Sequence, residues 1–477
     1  MTGPDAGPAG GGPPAEPLYT PEFAADPGAV YARLRKLGPA APVELAPGVP
    51  ATLVTGYAEA LHVLRSPELF VKDPRRWPAL RDGTVPPVSP VGLTLSHRPH
   101  CYTADGPEHL RLRQVIGDAL DRLDPGTLRA VVEEQAGGLI DALIGRAAGS
   151  GGRADLLADY AVPLSALVFD RIAGCPPAHA ARLQEAAAEL LVTHRQGGDP
   201  AAGEAAWAAL LARIRELIAE RRRRPGADLL SWMAEHPADL TDTELAHQFM
   251  LLASFAVPPQ HNLIAAALRL LLAGDGLPVA EAVEEALWTD SPLAGRAVYF
   301  PVRDVPMGET VLPAGRPVVV GIAAANAELA PEPERRRGNR AHLSWGAGPH
   351  GCPARGPARL IATVAAETLL ERLPDLALAV PAEELRWLPG PFFRALAALP
   401  VTGIPAAPPP GPRPAAATAS PPDGGPGQPG RPGLSGETGE SGRGGGDQPA
   451  GARFAVTRKP TALARMQAAL AQWWRGE

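Results

Sequence analysis

The sequence predicts a mainly α-helical protein with small β portions, arranged as one large domain between disordered termini. Three observations point there. Apolar residues recur at three- and four-residue steps over seven long segments, the period of one helical face. Strand-like runs are few and short. The 57 prolines and 52 glycines are far above average usage, which places irregular stretches within and around a folded body. A chain of 477 residues is long enough for one large domain or two ordinary ones.

Residues 1–16 are Gly/Pro/Ala-rich with no apolar core, so they are expected to be disordered and do not read as a signal peptide. The ordered part is expected over 17–405. Its predicted helices are Pro27–Leu37, Pro107–Leu123, Pro125–Ala148, Ala178–Gln196, Ala201–Arg223, Thr241–Leu272 and Val279–Thr289. Thr241-Asp-Thr-Glu244 opens the longest of them as a capping box, each end satisfying a backbone N–H of the other. Predicted strands are Pro50–Thr55, Ala297–Phe300, Arg316–Ile322 and Ala395–Leu399. Segment 406–452 is Pro/Gly/Ala/Ser-rich and buries too little apolar surface to offset its ordering entropy, so it reads as a disordered linker. In 453–477 a basic amphipathic helix is expected. Leu463, Met466, Leu470, Trp473 and Trp474 fall on one face, with Arg453, Arg458, Lys459, Arg465 and Arg475 around them. It suits docking to an acidic protein partner or an anionic membrane surface, or folding back onto its own domain.

A net charge of −6 without a basic stripe argues against a nucleic-acid partner. Three cysteines without paired spacing argue against a disulfide framework and a multi-cysteine metal site. No segment reaches the ~18 apolar residues of a transmembrane span. A soluble, cytoplasmic protein is expected.

The most informative stretch is Leu343-Ser-Trp-Gly-Ala-Gly-Pro-His-Gly-Cys352-Pro-Ala, which runs into a helix expected from Ala358. A thiol just ahead of a helix start lies near backbone N–H donors and a positive dipole end, which favour thiolate. Gly346, Gly348 and Gly351 permit tight turns and close approach to a flat ligand. A lone cysteine offered this way suits a haem iron better than zinc, which takes several N/S ligands. The plain alternative is a structural cysteine in a Gly/Pro turn. Asp105-Gly-Pro-Glu-His109-Leu-Arg-Leu-Arg113 sets His109 and Arg113 on one helical face, after a helix-starting Pro107. Such donors match the two carboxylates that a buried haem brings.

These segments resemble cytochromes P450. Trp345-Gly-x-Gly-x-His350-x-Cys352 is similar to that family's cysteine-ligand loop, with Trp345 for the usual Phe and Ala354 for a Gly. Gly356-Pro-Ala-Arg359 resembles the Leu-Ala-Arg that follows it, and the Asp105–Arg113 segment resembles the family's Asp-x-Pro-Glu-His-x-x-x-Arg. The resemblance implies the P450 fold over 17–405 and haem b (iron protoporphyrin IX) as cofactor. It implies Cys352 as the axial iron ligand, with Trp345 packed near the sulfur. It also implies His109, Arg113, Arg296 and His350 as propionate contacts, Arg296 on its place before a short strand.

Two departures bear on function. Glu285-Ala-Leu-Trp288 stands where the family has Glu-x-x-Arg, so Arg335, Arg336 or Arg337 is expected to pair with Glu285 directly while Trp288 packs and donates one N–H. This marks an atypical subgroup resembling proteins found beside small signalling GTPase modules. The family's distal acid–alcohol pair is replaced by Pro258 and Pro259, which are expected to break the long helix. Gln260 and His261 are the nearest candidates to organise a proton relay, or else merely cap the second helical half and face away.

The implied activity is a haem-thiolate monooxygenase oxidising a small apolar molecule with O2 and electrons from ferredoxin and ferredoxin reductase. Arg355 and Arg359 are placed to receive the electron donor. The alternatives are a peroxide-driven peroxygenase, or a weakly active or inactive haem protein serving as scaffold or sensor in a GTPase-associated complex. Trp77, Leu80, Val88, Val91 and Leu93 are expected to line the pocket.

Overall fold

A computed structural model describes residues 14–405, apart from 86–89, 194–197, 275 and 296. The expectations for the linker 406–452 and the helix 453–477 fall outside the described residues.

The seven expected helices are all present, with ends moved by a few residues. Proline or a capping side chain explains most of the starts. Pro125–Ser150 begins under Asp124, whose carboxylate accepts from the Thr127 N–H, and it closes on Gly151 in the left-handed region. Asp242–Leu272 begins with the expected capping box of Thr241 and Glu244. Helices at Tyr57–Arg65, Val162–Ala173, Leu229–Ala234 and Ile322–Leu329 were not foreseen. Two of these have fewer than nine residues, too short for a clear period. Tyr57–Arg65 starts at Gly56 with no side-chain cap, and Val162–Ala173 carries Pro163 in its first turn and follows a π-helical turn, Leu157–Ala161.

Among the described residues the main sheet has six strands, in the order Glu16–Pro17, Ala40–Glu44, Pro50–Val54, Val318–Val320, Ala297–Pro301, Phe70–Val71. Pro50–Val54 pairs antiparallel with Ala40–Glu44 (Thr52 opposite Pro42) and parallel with Val318–Val320 (Thr52 opposite Val318). Glu16, expected at the end of the disordered N-terminus, pairs with Val43, so order begins earlier than expected. The expected strand Arg316–Ile322 shrinks to Val318–Val320, because Pro317 has no N–H to pair and Ile322 already begins a helix. Ala395–Leu399 is a correction. Leu396 makes only an isolated bridge to Trp387, and the strand lies at Pro400–Thr402, between Ala377–Leu378 and Ala154–Asp155. Leu396 and Leu399 are instead buried in the helical core.

The long helix Asp242–Leu272 joins two cores. Leu245, Ala246, Phe249 and Leu251 are buried with helices Gly106–Asp121 and Pro200–Arg223. Leu263–Leu268 are buried with Pro125–Ser150, Val279–Thr289 and Arg355–Arg372. Pro258 and Pro259 fall between these anchored halves, and the helix runs through them. The expected break does not occur. Burial on both sides holds the backbone helical where two missing N–H groups alone would end it.

Candidate cofactor site

The cysteine loop is built by its backbone. Gly346 N–H donates to the Leu343 carbonyl at 2.7 Å, Gly351 to Gly348 at 3.1 Å, and Cys352 to Trp345 at 2.7 Å. Gly346 and Gly348 have φ of 65° and 66°. At Gly348 a Cβ would come within 2.1 Å of the Leu64 carbonyl, so this glycine lets the loop lie against helix Tyr57–Arg65. Gly351 needs no left-handed backbone. The loop is stitched to the core by Asn326, which is fully buried. Its amide oxygen accepts from the Leu343 N–H at 2.7 Å, and its Nδ2 donates to the Leu287 carbonyl and Ser344 Oγ, both at 3.2 Å.

The helix after the cysteine starts at Arg355, ahead of the expected Ala358, with Ala354 as its cap residue. Cys352 lies in a cavity wall with Trp345, His350 and Arg113. Burial pushes its thiol up, while the Ala354 N–H, Arg113 and Arg355 pull the other way. The Ala354 N–H at the helix start thus favours thiolate as expected, and desolvation opposes it.

Arg113 lines the cavity with His350, whereas His109 is not among its described lining residues. His109 is buried, its ring 4.0 Å from that of His350, and burial pushes its pKa down to about 4, with His350 and Arg113 adding to the shift. His109 Nε2 is buried with no hydrogen-bond partner among the described residues. His350 Nε2 lies 3.8 Å from Asp105 Oδ1. Arg113 donates to the Gly351 carbonyl, which ties helix Gly106–Asp121 to the cysteine loop. Arg296 lies outside the described residues. A thiol, a guanidinium and an imidazole in one largely apolar cavity lining suit a flat apolar macrocycle with acidic edge groups.

The apolar wall comes from helices: Ile116 and Leu120, Leu252, Phe255, Ala256 and Pro259, and Ile361. Trp77, Leu80 and Val91 do not form it. They pack beside the main sheet, where the Trp77 and Phe300 rings lie 6.1 Å apart. Val88 and the Leu93 side chain fall outside the described set. Gln260 is in the cavity wall, and its Nε2 donates to the Ala358 carbonyl on the cysteine helix at 3.1 Å. His261 is not among the wall residues. Its Nδ1 is buried with no partner among the described residues, and burial pushes its pKa down to about 4.

Around the altered Glu-x-x-Trp segment the expectation is met. Arg336 Nη2 lies 2.7 Å from Glu285 Oε1 and its Nε donates at 2.9 Å. Trp288 is 3% exposed and donates to the Asn339 carbonyl at 3.1 Å. Arg359, expected to face an electron donor, pairs with Glu284, as Arg340 does, while Arg355 remains exposed. Sequence reasoning also missed Lys72 and Gln248, and gave Asp105 no role of its own. Asp105 accepts from the backbone N–H groups of Lys72 and Asp73 at 3.0 Å. Gln248 joins the Leu112 carbonyl at 2.6 Å to the Cys101 N–H at 3.0 Å. Among the described residues no helix is long and apolar enough to cross a membrane.

No protein-family model matches the chain. It is 35% identical over 398 residues to the cytochrome P450 monooxygenase PikC of Streptomyces venezuelae, covering 80% of this chain and 92% of that protein. It is 30% identical over 396 residues to cytochrome P450 107B1 of Saccharopolyspora erythraea, covering 80% and 95%. The fold matches the crystal structure of the myxobacterial cytochrome P450 CYP267B1 in complex with myristic acid. There the TM-score is 0.70 at 30% identity, over 81% of this chain and 98% of that one.

Proposed function

The chain belongs to the cytochrome P450 family, and on that premise we propose that it oxidises a small apolar molecule with O2, drawing electrons from ferredoxin and ferredoxin reductase. When bound, haem supplies oxygen activation and transfer of one oxygen atom to the substrate. The chain's own residues hold, shield and feed that chemistry. Cys352 is the iron ligand, and His109, Arg113, His350 and Arg296 hold the propionates. Trp345 keeps an aromatic wall beside the sulfur. Leu252, Phe255, Ala256 and Pro259 form a dry surface against which an apolar substrate buries area.

Proton supply here differs from an acid–alcohol pair. Pro258 and Pro259 carry neither a proton nor an N–H. His261, with its pKa near 4, is neutral at neutral pH and stands outside the described wall. Gln260 is held to Ala358, so it orders a water through its remaining amide oxygen and N–H rather than titrating. The observation that carries the reading is Cys352 sharing one cavity wall with His350 and Arg113.

Turnover of an apolar panel with ferredoxin, ferredoxin reductase and NAD(P)H tests it, alongside the haem absorption shift on substrate binding. The reading expects product that depends on the electron donor. Haem-replete protein that oxidises nothing in this assay overturns it. The proline pair favours a second reading, since it removes the acid–alcohol couple: hydrogen peroxide replaces O2 and the redox chain, or the haem protein serves as a scaffold. Product formed with peroxide alone separates these two.

A further inference from the structure

The helix that follows Cys352 has a thinly secured start. Arg355–Arg372 opens after Ala354 with no side-chain cap, and Pro357 in its first turn has no N–H for a cap to meet. The first helical bond runs from the Ala358 N–H to the Ala354 carbonyl, at 2.9 Å. Uncapped first turns fray. This one bears a donor to the sulfur, since the Ala354 N–H bonds Cys352. A hydrogen bond weakens steeply once its donor turns away, so that N–H acts on the sulfur only while the turn is held.

A tie from the long helix enters the same turn. Gln260 Nε2 donates to the Ala358 carbonyl at 3.1 Å. Gln260 is 7% exposed, and it directly follows Pro258 and Pro259 in helix Asp242–Leu272. The two proline rings fix φ just ahead of it. Just after it, Leu263, Ile264 and Leu268 are buried in one core with Ile361, Ala362 and Ala365 of the cysteine helix. The amide therefore reaches Ala358 from a backbone with little freedom, and what it holds is the turn that carries the sulfur's N–H.

We propose that Gln260 is a positioning residue for the sulfur ligand: by holding Ala358 it fixes the first turn of the cysteine helix, and with it the Ala354 N–H on Cys352 Sγ. The inference rests on the haem reading above. It gives Gln260 a task on the sulfur side, apart from the water that its remaining amide atoms order. A hydrogen bond to a ligating sulfur draws charge away from the metal and raises its reduction potential. Loss of the tie frees the turn, makes the sulfur a stronger donor and lowers the potential.

The test compares the full-length haem protein as wild type, Gln260→Met and Gln260→Glu, at about pH 6 and about pH 9. It reads the ferric/ferrous midpoint potential and, by resonance Raman, the Fe–C and C–O stretching frequencies of the reduced, carbon-monoxide-bound form. A change on the carbon monoxide side moves the two frequencies in opposite directions, whereas a stronger sulfur donor lowers both. Gln260→Met keeps the length and loses the donor, so a lower potential and a fall in both frequencies are expected at either pH. In Gln260→Glu burial raises the carboxyl pKa above its usual value near 4, so at about pH 6 the acid is protonated, donates to Ala358 and matches wild type. At about pH 9 the carboxylate repels that carbonyl, and the variant follows Gln260→Met. Potentials and frequencies that match wild type in Gln260→Met overturn the proposal. So does a potential shift whose two frequencies move oppositely, which places the amide's effect away from the sulfur. Gln260→Glu displaced equally at both pH values also overturns it, by making the role one of packing. Wild-type protein without a thiolate-type carbon monoxide spectrum brings down the haem reading itself, whereas a thiolate-ligated protein indifferent to Gln260 overturns this inference alone.

Discussion

Burial decides ionisation at several single residues here. At Cys352 it opposes the donors that the helix start provides. At Asp170 burial pushes the carboxyl up to about 7. The folded chain therefore keeps a proton that the unfolded chain releases near pH 4. Stability from this group is full below about pH 4 and is lost as pH rises towards 7. Asp170→Asn is expected to leave the melting temperature unchanged at pH 4 and to raise it at pH 8. A variant that melts lower at pH 8 contradicts this. Cys352, His109, Arg113 and His350 could be singled out as candidates because each sits in a short local pattern. Lys72 and Asn326 could not. Lys72 meets Val298 and Asn326 meets Leu287, partners far away in sequence that only the fold brings close.

Elements carry their own tests. Helix Asp242–Leu272 is continuous through Pro258 and Pro259 because each half is anchored in a separate core. Pro258→Ala restores one helical N–H, and it should stabilise the protein by up to about 3 kcal/mol in chemical denaturation. Destabilisation instead means the helix depends on the proline geometry. Helix Val279–Thr289 is locked by Glu285 to Arg336, with Trp288 buried on the same helix. Arg336→Ala leaves a half-buried carboxylate without its guanidinium, and a loss of about 3 kcal/mol is expected, read by urea unfolding with haem bound. Long amphipathic helices were legible from their period. The unforeseen ones are short, uncapped or proline-led, and Ala395–Leu399 misled because its apolar residues face a helical core, not a sheet.

For the whole molecule, the fold closes late. Pro400–Thr402 completes the three-stranded sheet with Ala154–Asp155, and the Ile404 N–H donates to the Gly152 carbonyl at 3.2 Å. A chain ending at Pro405 is therefore expected to keep its haem and its cooperative melt, while one ending at Leu399 loses both, as followed by haem absorption during heating. Equal behaviour of the two truncations contradicts that account. The helical body and the cofactor edge could be read from sequence because they rest on periodicity and local spacing. The cavity's apolar wall could not, since it is assembled from helices distant in the chain. Everything turns on the proposed bond between Cys352 and iron. The absorption spectrum of the reduced, carbon-monoxide-bound protein should show the red-shifted band of thiolate ligation in the wild type, and Cys352→Ala should lack it. A wild-type spectrum without that band, or a Cys352→Ala spectrum that keeps it, contradicts the account.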